Sequence, residues 1–359
     1  MALEFNTAVK RIPSYPAASG YGETGDLAHL ASNESPYPPM PEVVAAAAAA
    51  VADVNRYPDP TSWRLRSALS DRYGVPIERI SCGNGSCDVL LTMAEALLEP
   101  GAEIVYAWPS FSVYPHLQAA SGATGIQVPL DRDERHDLDA MAHEITVATR
   151  LVIVCNPNNP TSTALPLAQI ADFVAKVPSH VCVLIDEAYC EFSLLDDPDS
   201  SLALLDDHPN LVLLRTFSKV YALAGLRAGF ALCGSRELPD ALAQLRQPFF
   251  LNAAAQAAAL EALSHQDEVA RRVEWIAVAR VQMVEGLREL GIECADGHAN
   301  FCWFDVGEGR DEAQIVQGLA EQGVLVRAGT ALGKEGALRV SFGTPPENDR
   351  FLAALAPLL

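Results

Sequence analysis

The chain has 359 residues, half of them hydrophobic and 20% charged, with a formal charge of -21 at pH 7. That length accommodates one large domain and a smaller one around a sizeable core. The acidic balance argues against a nucleic-acid surface, which needs clustered Lys and Arg to neutralise phosphates, yet it leaves room for a small anionic ligand where a few arginines converge.

In chain order, the first thirty residues are rich in Pro, Gly and Tyr and read as an extended arm. The alanine block predicts a helix over 41–54. A turn at Tyr57-Pro58-Asp59-Pro60 precedes a helix over 63–73 that Gly74 ends. Gly85-Ser86 leads into a helix over 88–98, and a strand over 104–107 runs into the loop Trp108-Pro109-Ser110-Phe111. Apolar strands are predicted over 151–155, 181–185 and 211–214, each leading into a polar residue: Asn156, Asp186 and Thr216. Near-continuous apolar strands separated by helices indicate a parallel sheet covered on both faces, with ligands outside the carboxyl ends of its strands. A long helical region over 253–290 follows, then strands over 301–304, 324–326 and 338–342 and a closing helix. The expected architecture is α/β: an arm over 1–35, a large domain over 36–250 with a mostly parallel sheet, and a small α+β domain over 251–359.

The eight cysteines sit mostly in apolar runs and form no Cys-x-x-Cys pair. Neither a zinc site nor a disulfide framework is expected, and reduced thiols of a cytoplasmic protein are. The eight histidines show no ligand spacing, so no metal is expected. No apolar stretch follows Lys10 and Arg11 as a signal peptide requires, and no run approaches the length of a membrane span.

The chemistry gathers where the apolar strands end. Lys219 closes Leu214-Arg215-Thr216-Phe217-Ser218-Lys219, with Arg227 eight residues on. It reads either as a buried amine able to form a Schiff base or as a solvated cation at a strand end. Asn156-Pro157-Asn158-Asn159-Pro160-Thr161 is a proline-fixed loop, which by itself is a turn more often than a site. Asp186 and Tyr189 put a carboxylate and a phenol three residues apart, although a carboxylate there is equally a helix cap. Gly83-Asn84-Gly85-Ser86 before a helix can offer backbone N–H groups to a phosphate, but Asp88 stands where a dinucleotide fingerprint needs its third glycine. Taken together these groups match a cofactor bearing an aldehyde, a phenolic oxygen, a pyridine nitrogen and a phosphate. Lys219 supplies the amine, Asn159 and Tyr189 the phenolate partners, and Asp186 the acid for the ring nitrogen. Gly85, Ser86, Thr216, Ser218 and Arg227 supply the anion cradle.

At these residues the chain resembles the fold-type I pyridoxal-phosphate enzymes of the histidinol-phosphate aminotransferase group, within the class II aminotransferases. The matching segments include Ala31-Ser32-Asn33-Glu34-Ser35-Pro36, Arg56-Tyr57-Pro58-Asp59, the glycine and asparagine loops above, and Leu338-Arg339-Val340-Ser341. The resemblance implies that Lys219 forms the Schiff base with pyridoxal 5'-phosphate and later moves the substrate proton, and that Asp186 keeps the ring nitrogen protonated. It implies that Phe111 stacks on the ring, that Ser86, the Cys87 amide, Thr216, Ser218 and Arg227 hold the phosphate, and that Tyr57 reaches the site of a second subunit in a homodimer. Arg339 would grip the substrate carboxylate, and Asn33 lies among the substrate-binding residues. Two departures from the family pattern are Ser162, where glycine is usual, and Cys87, where a carboxylate is common.

The implied substrates are an amino acid or amino-alcohol phosphate and a 2-oxo acid. Histidinol phosphate with 2-oxoglutarate, as in histidine biosynthesis, is the first expectation, with Arg327 and Tyr15 at the substrate phosphate. The serine variant in Asn-Pro-Asn-Asn-Pro-Thr-Ser-Thr is shared with aromatic amino-acid aminotransferases, which are the alternative. A phosphothreonine-type decarboxylase and a non-catalytic sensor module are remoter readings; the absence of a basic patch speaks against the latter.

Overall fold

The structure is a computed structural model that describes residues 3–12 and 25–359. Strand β1 (Ala28–His29) lies outside the large sheet, whose strands are β2 (Ile80–Gly83), β3 (Glu103–Trp108), β4 (Thr124–Pro129), β5 (Thr149–Cys155), β6 (Cys182–Asp186), β7 (Leu211–Thr216) and β8 (Gly229–Cys233). Their order is β2-β8-β7-β6-β5-β3-β4, and β8 alone runs against the rest. The remaining strands are β9 (Phe301–Asp305), β10 (Val324–Leu325), β11 (Arg327–Ala328) and β12 (Ala337–Ser341). A separate antiparallel sheet has the order β11-β12-β9, while β10 pairs with β1.

The large sheet is apolar on both faces, as its sequence implied. On β5, Val152 and Val154 join the core on one side while Leu151 and Ile153 join the core on the other. Val183 and Ile185 on β6 oppose Leu184 in the same way. Two-sided burial leaves the strand ends as the place for polar chemistry. The register Cys155↔Asp186 and Thr216↔Gly229 brings the ends of β5, β6 and β7 and the start of β8 to one edge, with Gly83 of β2 opposite Gly229.

Several boundaries differ from the sequence reading. The helix expected over 88–98 begins two residues earlier, at Ser86–Leu97, because Gly85 adopts φ 85°, a conformation that releases the chain into the first turn. The helical region over 253–290 is two helices, Ala253–Leu263 and Gln266–Glu289. Ser264 donates its hydroxyl back to the Glu261 carbonyl (2.7 Å), and His265 leaves helical geometry. Strands β2, β4 and β8 did not stand out in the sequence. β4 is an edge strand interrupted by Gly125 and Gln127, and no α-helix separates β7 from β8, so β8 returns antiparallel. The arm is not extended throughout: Thr7–Arg11 is a helical turn capped by Asn6 and tied by Arg11 Nε to the Ala119 carbonyl (3.2 Å). Among the described residues no helix is long and apolar enough to cross a membrane.

Candidate active site

At the carboxyl edge of the large sheet lies a cavity of about 310 Å³, a size typical of small-molecule sites. Lys219, Asp186, Tyr189, Asn159 and Phe111 line it, as do Ser86, Cys87, Thr216, Ser218 and Arg227. The lysine that by sequence could have been a solvated cation faces this cavity. Its Nζ donates to the backbone carbonyls of Ser32 (3.2 Å) and Asn33 (3.0 Å), and it lies 5.6 Å from the centre of the Tyr189 ring. Burial, aided by the charge of Arg339, lowers its pKa to about 8. The shift raises the fraction of neutral, nucleophilic amine relative to an ordinary lysine.

Asp186 closes the deep end. Tyr114 donates to its Oδ2 (2.9 Å) and the Ala188 amide to its Oδ1 (3.2 Å). Burial raises its pKa to about 6, against the opposing effect of the Tyr114 bond. Phe111 contributes an aromatic wall and packs edge-on against Tyr114, with centroids 5.7 Å apart.

The opposite end is built for an anion. The Ser86–Leu97 helix begins with no side chain capping its first turn; the Asp88 amide donates to the Gly85 carbonyl (3.1 Å), which leaves the Ser86 and Cys87 N–H groups to face a ligand. Gly85 does not itself line the cavity but lies against Arg227: a Cβ on it would sit 2.2 Å from Arg227 Nη2. Gly229 likewise lets β8 start beneath the helix, since a Cβ there would meet the Ser86 amide nitrogen at 2.3 Å. Arg227 Nη1 donates to Ser218 Oγ (3.3 Å), and Thr216 Oγ1 accepts from the Ser218 amide (3.0 Å). Asp88, one place beyond the usual carboxylate position, accepts from the Asn84 amide (3.0 Å) and so fixes the glycine loop.

The small sheet supplies a second layer behind the cavity. Arg339 donates to Asn159 Oδ1 and to the Ala31 carbonyl, both at 2.6 Å, and lies over Phe301. Arg327 stands directly opposite Arg339 in register. Asn33, expected among the substrate-binding residues, donates its side-chain amide to the Tyr189 hydroxyl (3.0 Å) and accepts from Ser341 Oγ (3.0 Å). Tyr189 and Asn159 thus each have a protein partner already. Tyr57 is 80% exposed, stacks on Phe249 with centroids 4.3 Å apart, and lies off the cavity lining of its own chain. Tyr15 falls outside the described residues. Ser162, in place of the usual glycine, takes φ 64°, so the turn keeps the left-handed geometry that glycine favours. Its Oγ accepts from the Ala299 amide (2.9 Å).

Sequence reasoning did not single out Ser32, Glu34, Cys155 or Tyr114. The first three line the cavity and the fourth bonds to Asp186. Tyr114 carried one signal, its position three residues beyond Phe111 at the start of a helix.

An amine at the cavity wall, a buried carboxylate at one end and N–H, hydroxyl and guanidinium donors at the other fit the aldehyde, ring nitrogen and phosphate of pyridoxal 5'-phosphate. Comparison with known proteins agrees. The model of the family "Aminotransferase class I and II" matches residues 26–355. An aromatic amino acid aminotransferase of Cutibacterium acnes is 40% identical, over 99% of each chain. Histidinol-phosphate aminotransferase 1 of Cupriavidus pinatubonensis is 44% identical, over 97% of this chain and 92% of its own. The crystal structure of histidinol-phosphate aminotransferase from Sinorhizobium meliloti in complex with pyridoxal-5'-phosphate superposes with a TM-score of 0.82 at 27% identity, covering 92% of this chain and 90% of that one. The chain belongs to the class I and II aminotransferases, and pyridoxal 5'-phosphate is the cofactor its cavity is built to take.

Proposed function

We propose that this aminotransferase moves an amino group between histidinol phosphate and 2-oxoglutarate. The observation that carries this reading is the cross-strand pair Arg327 and Arg339, two almost fully buried guanidiniums on one face of the small sheet, the second bonded to Asn159 of the cavity. Two guanidiniums side by side gather more positive charge than a single carboxylate answers, and a dianionic phosphate complements both.

Bound pyridoxal 5'-phosphate supplies the aldehyde that carries the amino group and a ring that takes up electrons. Lys219 provides the amine that anchors it, and its lowered pKa suits it to move the proton of the substrate α-carbon. Asp186 holds the ring nitrogen, Asn159 and Tyr189 the phenolic oxygen, and Phe111 one ring face. Ser86, the Cys87 amide, Thr216, Ser218 and Arg227 bind the phosphate, with Gly85 leaving room for Arg227. Asn33 orients Tyr189. The chain divides into a cofactor domain over 36–250, a small α+β domain over 251–359 and an arm over 1–35 that joins the small domain and the active site. Tyr57, exposed and stacked on Phe249, serves the site of a second copy in a homodimer.

A second reading, transamination of phenylalanine or tyrosine, is favoured by Ser162 in the asparagine loop and by relatives named aromatic amino acid aminotransferase. A single-turnover experiment separates the two. The holoenzyme is mixed with histidinol phosphate or with phenylalanine, and loss of the visible absorbance of the lysine-linked cofactor is followed. Much faster conversion by phenylalanine overturns the first reading.

A further inference from the structure

Tyr114 opens the helix Tyr114–Ser121 and is wholly buried, yet its hydroxyl does not serve that helix. It donates to Asp186 Oδ2 at 2.9 Å, while the other carboxylate oxygen takes the Ala188 amide. Tyr106 (5.9 Å) and Phe111 (5.7 Å) hold the ring edge-on from two sides, so the phenol is aimed by packing. Donors from the helix and from the loop after β6 thus fix both oxygens of the carboxylate. We propose that Tyr114 is the positioning residue for Asp186, fixing the rotation of the carboxylate and favouring its anion so that it can accept from a protonated ring nitrogen.

The physical need is plain. A carboxyl in a dry site leans to its neutral form, and burial already pushes Asp186 up to about 6. A neutral acid would donate to the ring nitrogen instead of accepting from it, and the ring would lose the positive charge that makes it an electron sink. The other groups facing Asp186 pull both ways. Lys219 favours the anion, whereas Glu187, Cys87, Cys155 and Tyr189 are neighbours whose ionised forms would oppose it. A hydrogen bond to a charged acceptor is stronger than one to a neutral acceptor, so the Tyr114 hydroxyl favours the ionised state.

This inference rests on Asp186 being the partner of the ring nitrogen, and the test separates the two claims. Wild type, Tyr114→Phe, Asp186→Asn and the double variant are compared by cofactor dissociation constant near pH 6 and near pH 8, and by the pH profile of kcat/KM. Removing only the hydroxyl keeps the ring contacts with Phe111 and Tyr106. The expected result for Tyr114→Phe is cofactor binding weakened about fivefold near pH 6 and little near pH 8, with the acid limb raised by about one pH unit. In the Asp186→Asn background the same change should add nothing. Fluorotyrosine placed at position 114, a stronger donor of the same shape, should move the acid limb the other way. If Tyr114→Phe matches wild type while Asp186→Asn does not, the role of Tyr114 is wrong. A loss equal at both pH values and additive in the double variant reduces Tyr114 to packing and also overturns it. If Asp186→Asn behaves as wild type, it is the reading of Asp186 that fails.

Discussion

Arg327 of β11 and Arg339 of β12 are Cα partners in an antiparallel pair, and the two residues are only 5% and 6% exposed. Two guanidiniums held in that relation concentrate positive charge behind the cavity, and on the proposed function an anionic substrate group would complement it.

Arg327→Gln should therefore lower kcat/KM for histidinol phosphate at least about tenfold more than for phenylalanine, a difference of roughly 1.4 kcal/mol. Equal losses would remove the argument for phosphate. Arg339→Lys should raise KM for both substrates, because a lysine cannot reproduce a planar fork. Steady-state kinetics with each donor measures both effects.

Lys219 should capture the cofactor faster as pH rises. Its pKa is lowered to about 8 by burial, below the ordinary 10.5, and only the neutral amine attacks an aldehyde. The rate of absorbance change on adding pyridoxal phosphate to apoenzyme should climb through about pH 8 and then level off. By linkage, the folded state binds fewer protons at this site than the unfolded chain between about 8 and 10.5, so this group's contribution to stability rises with pH across that window. Lys219→Ala should show no covalent capture at any pH, and a retained lysine-type spectrum would contradict its role.

Gly229→Ala should damage the anion cradle and the fold together. The added Cβ would lie 2.3 Å from the Ser86 backbone nitrogen, which cannot rotate away as a side chain would. Overpacking of this kind costs about 1–3 kcal/mol. Urea unfolding should report that loss, and titration with pyridoxal phosphate should report weaker binding. Gly225→Ala, with open space at its Cβ, is the control for the unfolding measurement alone, because Gly225 lines the cavity.

Ser162 sets two effects against each other. Glycine at this position would relieve the cost of φ 64° but lose the bond from the Ala299 amide (2.9 Å). Each effect is worth about 1 kcal/mol, so Ser162→Gly should be near neutral. Ser162→Ala keeps the strained backbone and loses the bond, and should destabilise by about 1–2 kcal/mol. Melting curves of the two variants decide this.

Much of this protein is legible in its residues. The apolar runs of β5, β6 and β7 are long enough and continuous enough to require burial on both faces, and that alone places Asn156, Asp186 and Thr216 at a ligand-binding edge. The chemical types of Lys219, Asp186, Tyr189, Asn159 and Arg227 then point to the cofactor, because each suits a different atom of it. Strands β2, β4 and β8 were not legible, since short or edge strands carry little periodic signal and the antiparallel return of β8 depends on its neighbours. Nor could the sequence tell that Lys219 faces a cavity and not solvent, that Asn33 is taken up by Tyr189 and Ser341, or that Tyr114 reaches Asp186 across 72 residues of chain. These are contacts between residues remote in sequence, fixed by sheet register and helix packing. Residue type sets which bonds a group can make, and only the tertiary fold decides which of them it does make.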